Sequence, residues 1–225
     1  MGKKQNTPVA PRQAKEDKEI ELELGRKLFA HTCTFVTGAV DISGLPNTSI
    51  PEIAFAGRSN VGKSSLINAL TAQTTLARTS NIPGRTQQIN FFELSGKLIL
   101  VDLPGYGYAK APKNIVNSWS ELVEDYLKGR QQLVRTCLLI DSRRGFMKSD
   151  YAVMKALDLA AVSYLVVLTK VDKLKPSALD NAVTRSEKVL KSHVAAFPSL
   201  LSTSTQTGSG IPSLRAHLGM LTNNH

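Results

Sequence analysis

The sequence predicts an α/β domain in which a mostly parallel sheet is covered by helices on both faces. From residue 51 onward, short apolar runs alternate with segments of helical spacing, and this alternation is typical of parallel strands joined by crossover helices. The chain has 225 residues, of which 42% are hydrophobic, enough to bury the core of such a domain. We therefore expect three layers, with the sheet in the middle.

Three segments precede this alternating region. Residues 1–18 are polar and have no periodic apolar face, so we predict a disordered tail there. Helical spacing from Ile20 to Phe29 and an extended pattern at 33–36 predict a helix and an edge strand. We thus expect a single domain over 19–225, whose central α/β core begins at about residue 51.

The apolar runs and periodic segments after residue 51 predict the remaining elements. The predicted strands cover 53–56, 89–94, 98–101, 136–140, 164–168 and 200–201. The predicted helices cover 63–70, 116–127, 151–160, 178–194 and 212–221. The second and third of these strands are joined by Ser95, Gly96 and Lys97, a length that suits a hairpin, so one antiparallel edge pair is expected.

The segment from Gly57 to Ser64 fits the pattern G-x-x-x-x-G-K-[ST] and lies between a predicted strand and a predicted helix. Glycines let the backbone wrap a phosphate, and the following helix presents its positive dipole end. Lys63 would reach the β and γ phosphates, and Ser64 would bind Mg²⁺. The sequence therefore predicts the fold of a P-loop NTPase. The predicted phosphate contacts are Gly57, Arg58, Ser59, Asn60, Val61, Gly62, Lys63 and Ser64.

A second motif, Asp102-Leu103-Pro104-Gly105, ends a predicted strand. A carboxylate there would orient the water shell of Mg²⁺, and the N–H of Gly105 would contact the γ phosphate. The alternative is a polar strand end followed by a Pro-Gly turn. Because the motif follows a phosphate loop, we favour the γ-phosphate sensor.

A third motif, Thr169-Lys170-Val171-Asp172, follows an apolar run. Asp172 would accept two hydrogen bonds from guanine, whereas adenine would leave the carboxylate unpaired at a loss of roughly 1–3 kcal/mol. Lys170 would lie along the base and hold the phosphate loop, and Thr169 would fix the loop geometry. The alternative is a solvated Lys–Asp pair. Leu201-Ser202-Thr203 lies at the end of the last predicted strand. Because of this location, we expect one of its backbone N–H groups to contact guanine O6.

Between the phosphate-loop helix and the next strand lies Pro83-Gly84-Arg85-Thr86-Gln87. Thr86 is our choice for the second Mg²⁺ ligand, with Thr79 as the competitor, because Gly84 supplies a hinge that lets the segment order around a γ phosphate. The predicted catalytic groups are Lys63, Thr86 and Gly105.

Tyr106 stands directly after Gly105, where Ras-like GTPases place a water-orienting glutamine. Tyrosine cannot orient that water, so we expect slow intrinsic hydrolysis, with the missing group supplied by a partner, a cation or a rearrangement of residues 106–110. The amide oxygen of Asn60 suggests that K⁺ near the phosphates could be that cation.

The composition of the chain indicates what kind of partner the protein binds. The net charge of +10 favours a polyanionic partner, with RNA as the leading candidate, over a soluble protein that is merely basic. The sequence has no apolar run of 18 residues and no apolar stretch at its N-terminus, so we expect a cytoplasmic protein that does not bind a membrane. Cys33 and Cys137 lack metal-ligand spacing and are expected to be packed thiols.

Three segments together resemble the EngB (YihA/YsxC) family of bacterial GTPases, within the TrmE-Era-EngA-EngB-Septin-like superfamily. They are 52–68, 83–87 and 102–109, and the resemblance covers roughly residues 28–215. It implies a Ras-like G domain that binds GTP or GDP with Mg²⁺ on Ser64 and Thr86. It also implies a role in assembly of the large (50S) ribosomal subunit and in normal cell division and septation. The resemblance adds nucleotide contacts at Gly84, Arg85, Thr86, Gln87 and Gln88.

We therefore expect a monomeric switch in which GTP orders the segments around Thr86 and Gly105 and so creates a basic surface for the large subunit. The candidate surface groups are Arg78, Arg85, Lys110, Lys113, Arg143, Arg144 and Lys148. The alternatives are a signalling GTPase that binds a division-related protein, with indirect ribosomal effects, and a metabolic P-loop kinase or ATPase. Asp172 argues against the last.

Overall fold

The structure, a computed structural model, describes residues 11–77, 88–107 and 121–222. Its strands are β1 Cys33–Ala39, β2 Glu52–Gly57, β3 Ile89–Leu94, β4 Leu98–Asp102, β5 Leu133–Asp141, β6 Tyr164–Thr169 and β7 Leu201–Ser202. Its helices are α1 Pro11–Phe29, α2 Lys63–Thr71, α3 Glu121–Gly129, α4 Lys148–Leu159, α5 Pro176–Leu190 and α6 Ile211–Met220. The first residues of the predicted helix 116–127 lie outside the described ranges.

The seven strands form one sheet in the order β1-β3-β4-β2-β5-β6-β7. Strand β3 pairs antiparallel with both β1 and β4, and the other pairs are parallel. The predicted hairpin is present: β3 and β4 pair antiparallel and are joined by Ser95, Gly96 and Lys97. The N–H of Lys97 donates to Leu94 O at 3.1 Å, and the φ values of Ser95 and Gly96, 53° and 65°, are positive as in the turns that hairpins favour. The antiparallel part has three strands because β1 adds to the outer edge of the hairpin.

Two apolar cores, one on each face of the sheet, account for the three layers. Strand β5 shows the alternation: Cys137 and Leu139 belong to the core under α1, α2 and α6, whereas Leu138 and Ile140 belong to the core under α3, α4 and α5. Successive side chains of a strand point to opposite faces, so a central strand covered on both sides is apolar throughout. The predicted α/β fold of the P-loop NTPase class is confirmed.

Helix α1 begins at Pro11, earlier than the predicted start at Ile20, so residues 11–18 are helical in this structure. The inner part of α1 packs closely on α6, where a Cβ on Gly25 would lie 2.4 Å from the backbone nitrogen of Ala216. Once docking fixes one end, each further residue adds a hydrogen bond at little cost. The helix therefore extends through charged residues that have no apolar face of their own.

Both cysteines are buried and unpaired, as expected of packed thiols, and burial raises the pKa of each to about 12. Within the described part of the chain, every helix is too short or too polar to cross a lipid bilayer.

Candidate nucleotide-binding site

The predicted motifs meet at one edge of the sheet. The phosphate loop follows β2, and Asp102 is the last residue of β4. Thr169 is the last residue of β6 and is followed by the rest of its motif, while Thr203 follows β7. Strands β2, β4, β5, β6 and β7 all run parallel, so their carboxyl ends lie side by side. This edge is where ligands bind in open α/β sheets.

The phosphate loop turns sharply into α2. Gly62 caps the helix at φ 105°, a left-handed conformation that is costly for a residue with a side chain. Gly57 is closely packed as well, since a Cβ there would lie 2.8 Å from Val61 Cγ1. Helix α2 begins at Lys63. The N–H groups of its first turn, including those of Lys63 and Ser64, have no partner within the helix and are available to an anion.

Lys63 and Asp102 form an ion pair that joins the phosphate loop to the end of β4. Their side chains are 12% and 11% exposed. The structure thus brings together two residues 39 positions apart in the chain that were predicted to act on the phosphates and on Mg²⁺.

The residues after Asp102 lie against the phosphate loop. The N–H of Leu103 donates to Phe55 O at 3.1 Å, and Pro104 follows. Gly105 touches Ser59, because a Cβ on Gly105 would be 3.1 Å from Ser59 Oγ. The N–H of Tyr106 donates to Gly57 O at 3.3 Å, and its carbonyl accepts from the N–H of Ser59 at 3.0 Å.

The side chain of Tyr106 is buried rather than directed into solvent, with 7% of its surface exposed. Its hydroxyl donates to Asp150 Oδ1 at 2.8 Å. Burial and the charge of Asp150 raise the pKa of Tyr106 well above 10, so the phenol remains a donor. Sequence reasoning missed Asp150; its position three residues after Met147, at the start of a helix, is the signal of an N-terminal cap.

The loop after β6 contacts the phosphate loop directly. Thr169 Oγ1 donates to Val61 O at 2.8 Å, and Lys170 Nζ donates to Asn60 O at 2.6 Å. Lys170 Nζ also lies 3.1 Å from Asp141 Oδ2. The phosphate loop and the predicted base-recognition loop are therefore held as one unit.

Asp141, at the end of β5, is a second residue that sequence reasoning missed. Although burial alone would raise its pKa, hydrogen bonds from Arg143 and Lys170 outweigh burial and hold the pKa below its ordinary range. Arg143 donates through Nε and Nη2 at 2.9 and 2.7 Å. The ionised Asp141 thus fixes the ammonium group of Lys170.

Asp172 lies in a short 3-10 turn, Val171–Lys173, at the end of the site where base recognition was predicted. Ser204 Oγ donates to Asp172 Oδ1 at 2.7 Å, and this hydrogen bond lowers the pKa of Asp172. Val171 N–H donates to Thr203 O at 3.3 Å, which joins the loop after β6 to the one after β7. Leu201 and Ser202 form β7 itself. The carboxylate is therefore ionised and oriented, as an acceptor for guanine must be.

Part of the predicted site lies outside the described residues: Gly84, Arg85, Thr86, Gln87 and the competitor Thr79. Gln88 is described, and its Nε2 donates to Asn90 Oδ1 at 2.8 Å, next to β1. Of the predicted surface cations, Arg143, Arg144 and Lys148 are described and exposed, and Arg143 is paired with Asp141. The others, Arg78, Arg85, Lys110 and Lys113, lie outside the described ranges.

Comparison of the sequence with known proteins identifies the family of this chain. The model of a family described as 50S ribosome-binding GTPases matches residues 52–170. The chain is 54% identical over 211 residues to a probable GTP-binding protein EngB of Rhodospirillum rubrum, covering 92% of this chain and 91% of that protein. It is 48% identical over 211 residues to a protein of the same name from Caulobacter vibrioides, covering 94% and 92%.

Solved structures show the same fold. A crystal structure of a probable GTP-binding protein engB superposes with a TM-score of 0.63 at 22% identity, covering 77% of this chain and 100% of that one. Era in complex with MgGDPNP and a segment of 16S ribosomal RNA superposes with a TM-score of 0.57 at 19% identity, covering 77% and 57%. From the family match and the identities near one half, the chain belongs to the EngB family of GTP-binding proteins.

Proposed function

We propose that this protein is a GTP-dependent switch with slow intrinsic hydrolysis that acts in assembly of the large ribosomal subunit. The observation that carries the proposal is that two charged groups lie along the same sheet edge: Lys63 at the phosphate end, paired with Asp102, and the ionised Asp172 at the proposed base end, bonded to Ser204. The residues between them are bonded to one another, so the two ends of a guanine nucleotide would be read by one preformed surface.

GTP would be recognised at both ends. Asp172, held by Ser204, would accept from the two guanine donors, and adenine would leave it unpaired. Lys63 would exchange the carboxylate of Asp102 for phosphate oxygens, since a phosphate carries more negative charge and both groups lie at the mouth of the loop. The remaining predicted contacts come from residues 57–64, 84–88, 102–105, 169–172 and 201–203.

Mg²⁺ fits the oxygen donors of this site. Ser64 in the first turn of α2 and Thr86 would hold the ion, with Asp102 acting through its water shell. Within the described part of the chain, no three His, Cys, Asp or Glu side chains form a metal cluster, and Mg²⁺ is typically held by a few protein oxygens together with substrate phosphates. The ion would neutralise the charge that develops on the phosphates.

Slow hydrolysis follows from the position of Tyr106. Its hydroxyl is committed to Asp150 at 2.8 Å, so the residue that replaces the water-orienting glutamine is held away from the nucleotide. We infer that K⁺ near Asn60 supplies part of the missing stabilisation. Steady-state hydrolysis compared in KCl and NaCl at equal ionic strength tests this inference, and equal rates would contradict it.

The ribosomal role is supported by the family match, which is described as ribosome-binding, and by the net charge of +10. A basic surface binds RNA in a salt-sensitive manner. The resemblance to EngB further implies a requirement in cell division and septation, and we infer a cytoplasmic monomer that binds no membrane.

Co-sedimentation with purified large subunits tests this role. We expect the protein to pellet with the subunits in a non-hydrolysable GTP analogue and not in GDP, with binding that weakens between about 50 and 200 mM salt. Charge reversal at Arg144 and Lys148, which are exposed, should weaken it. Nucleotide-dependent binding to a division protein, with no binding to subunits, would favour the signalling GTPase instead.

A further inference from the structure

The function proposed above uses the buried hydrogen bond between Tyr106 and Asp150 only to explain slow hydrolysis, and not to explain how the nucleotide is bound. The bond joins residues 44 positions apart in the chain. Asp150 is 1% exposed and Tyr106 is 7% exposed, so water does not compete for the bond. A buried donor and acceptor of this kind are costly to separate, because each would be left without a partner.

Each partner is fixed to a different part of the site. Through its backbone, Tyr106 is bonded to the phosphate loop at Gly57 and Ser59. Asp150 Oδ2 accepts from the N–H of Met147 at 2.7 Å, which caps the first turn of α4. The Tyr106–Asp150 bond therefore ties α4 to the phosphate loop through the segment that follows β4.

Gly105 is the residue that this arrangement positions. It precedes Tyr106 and is packed on Ser59, where even one extra carbon would come within 3.1 Å of the serine hydroxyl. Arg58 packs against the same segment two residues further on, since a Cβ on Gly107 would lie 3.2 Å from its Nε. Gly107 has φ 71°, which makes it the first residue after the anchored stretch with the freedom to turn in a new direction.

We propose that Asp150 is a positioning residue for GTP, which acts through Tyr106 to hold Gly105 where its N–H meets the γ phosphate. The bond would fix Gly105 before the nucleotide arrives, so that binding GTP does not cost the ordering of this segment. GDP has no γ phosphate and would not depend on the bond. This inference rests on the proposed contact between Gly105 and the γ phosphate.

Equilibrium affinities for GDP and for a non-hydrolysable GTP analogue test the proposal. We expect Tyr106→Phe and Asp150→Ala each to weaken analogue binding by about tenfold while GDP binding changes by less than about twofold. In Asp150→Asn the amide oxygen can accept from the N–H of Met147 while the amide N–H donates to the tyrosine oxygen, so this variant keeps a link to Tyr106 and should stay close to wild type. The double variant Tyr106→Phe/Asp150→Ala should lose no more than either single variant, because all of them break one bond.

Tyr126→Phe is the matched control, because it removes a buried tyrosine hydrogen bond of the same length, 2.8 Å to Glu52 Oε2, at the opposite end of the sheet. Thermal unfolding of each variant shows that it is folded. The proposal is overturned if the analogue-to-GDP affinity ratio is unchanged in Tyr106→Phe and Asp150→Ala, or if it falls equally in Tyr126→Phe. A wild-type protein that does not prefer GTP to ATP would instead overturn the proposed function.

Discussion

Two buried tyrosines donate to carboxylates at opposite ends of the sheet, and their surroundings differ. Tyr126 donates to Glu52, which is fully buried and is also held by the guanidinium of Arg130. Tyr106 donates to Asp150, whose second oxygen accepts from a backbone N–H, and burial raises the pKa of that carboxyl group. The distal carboxylate is thus neutralised by an ion pair, whereas the carboxylate of Asp150 forms none with the residues that the structure describes.

The cations show the same difference. Arg130 donates to Glu52 through Nε at 2.9 Å and to Pro46 O through Nη2 at 2.7 Å, so two of its three guanidinium nitrogens are bonded to the protein. Lys63 holds one carboxylate, that of Asp102. The distal end is built to remain fixed, and the nucleotide end is built from groups that can exchange a protein partner for a phosphate.

The largest expected effect comes from breaking the distal ion pair. Arg130→Met would leave Glu52 as an uncompensated buried charge, which typically costs about 3–5 kcal/mol. Urea denaturation would measure the loss in the free energy of unfolding. The exposed pair of Lys128 and Glu124, 3.3 Å apart, supplies the control, because Lys128→Met should cost less than about 1 kcal/mol. Similar losses in the two variants would contradict the comparison.

Lys63→Met should have a smaller effect on stability and a large one on binding. Asp102 keeps 11% of its side chain exposed whereas Glu52 keeps none, so water can compensate Asp102, and we expect a loss of about 1–2 kcal/mol. GTP affinity should fall by roughly 10- to 150-fold, because a charge-assisted phosphate contact is lost. A destabilisation as large as that of Arg130→Met, measured in the same urea titration, would show that the two ends are alike.

The pH dependence of stability gives a finer comparison within the nucleotide end. The folded pKa of Asp150 is raised above its ordinary value of 3.8, chiefly by burial, so its contribution is present below pH 3.8 and is lost as the pH rises through the raised pKa. The wild type should therefore lose stability relative to Asp150→Asn as the pH rises, by at most about 1.4 kcal/mol per pH unit.

Asp141 should behave in the opposite way. Its folded pKa is lowered, so its contribution is present above the ordinary pKa and is lost as the pH falls through the lowered one. Relative to Asp141→Asn, the wild type should thus be stabilised as the pH rises. Unfolding titrations between about pH 3 and 7 would show slopes of opposite sign for the two variants, and slopes of the same sign would refute the assigned environments.

Much of the fold and the local motifs could be predicted from the sequence, because both depend on residues that are close to one another along the chain. The alternation of apolar runs predicts the strands, and the spacing from Gly57 to Ser64 predicts a loop between a strand and a helix. The start of the first helix was predicted too late, at Ile20, because the helix that begins at Pro11 extends outward from a docked segment, and residues 11–18 do not reveal this.

The partners of the site residues could not be predicted, because they are chosen by tertiary packing. Asp150 resembles an ordinary helix cap, and nothing near it indicates that Tyr106 will be buried against it. Likewise, nothing in the sequence around Ser204 indicates that its hydroxyl will hold Asp172. Asp141 meets Lys170 only because β5 and β6 are neighbours in the sheet.

Titration of wild type and Asp172→Asn with GTP, ATP and xanthosine triphosphate in the presence of Mg²⁺ tests most directly whether the nucleotide end reads guanine. The wild type should prefer GTP to ATP. The variant should lose roughly 1–3 kcal/mol of GTP affinity, about 5- to 150-fold, and gain affinity for xanthosine triphosphate, because the amide presents a donor to the xanthine oxygen. Equal binding of GTP and ATP by the wild type, or an unchanged preference in the variant, would contradict the account.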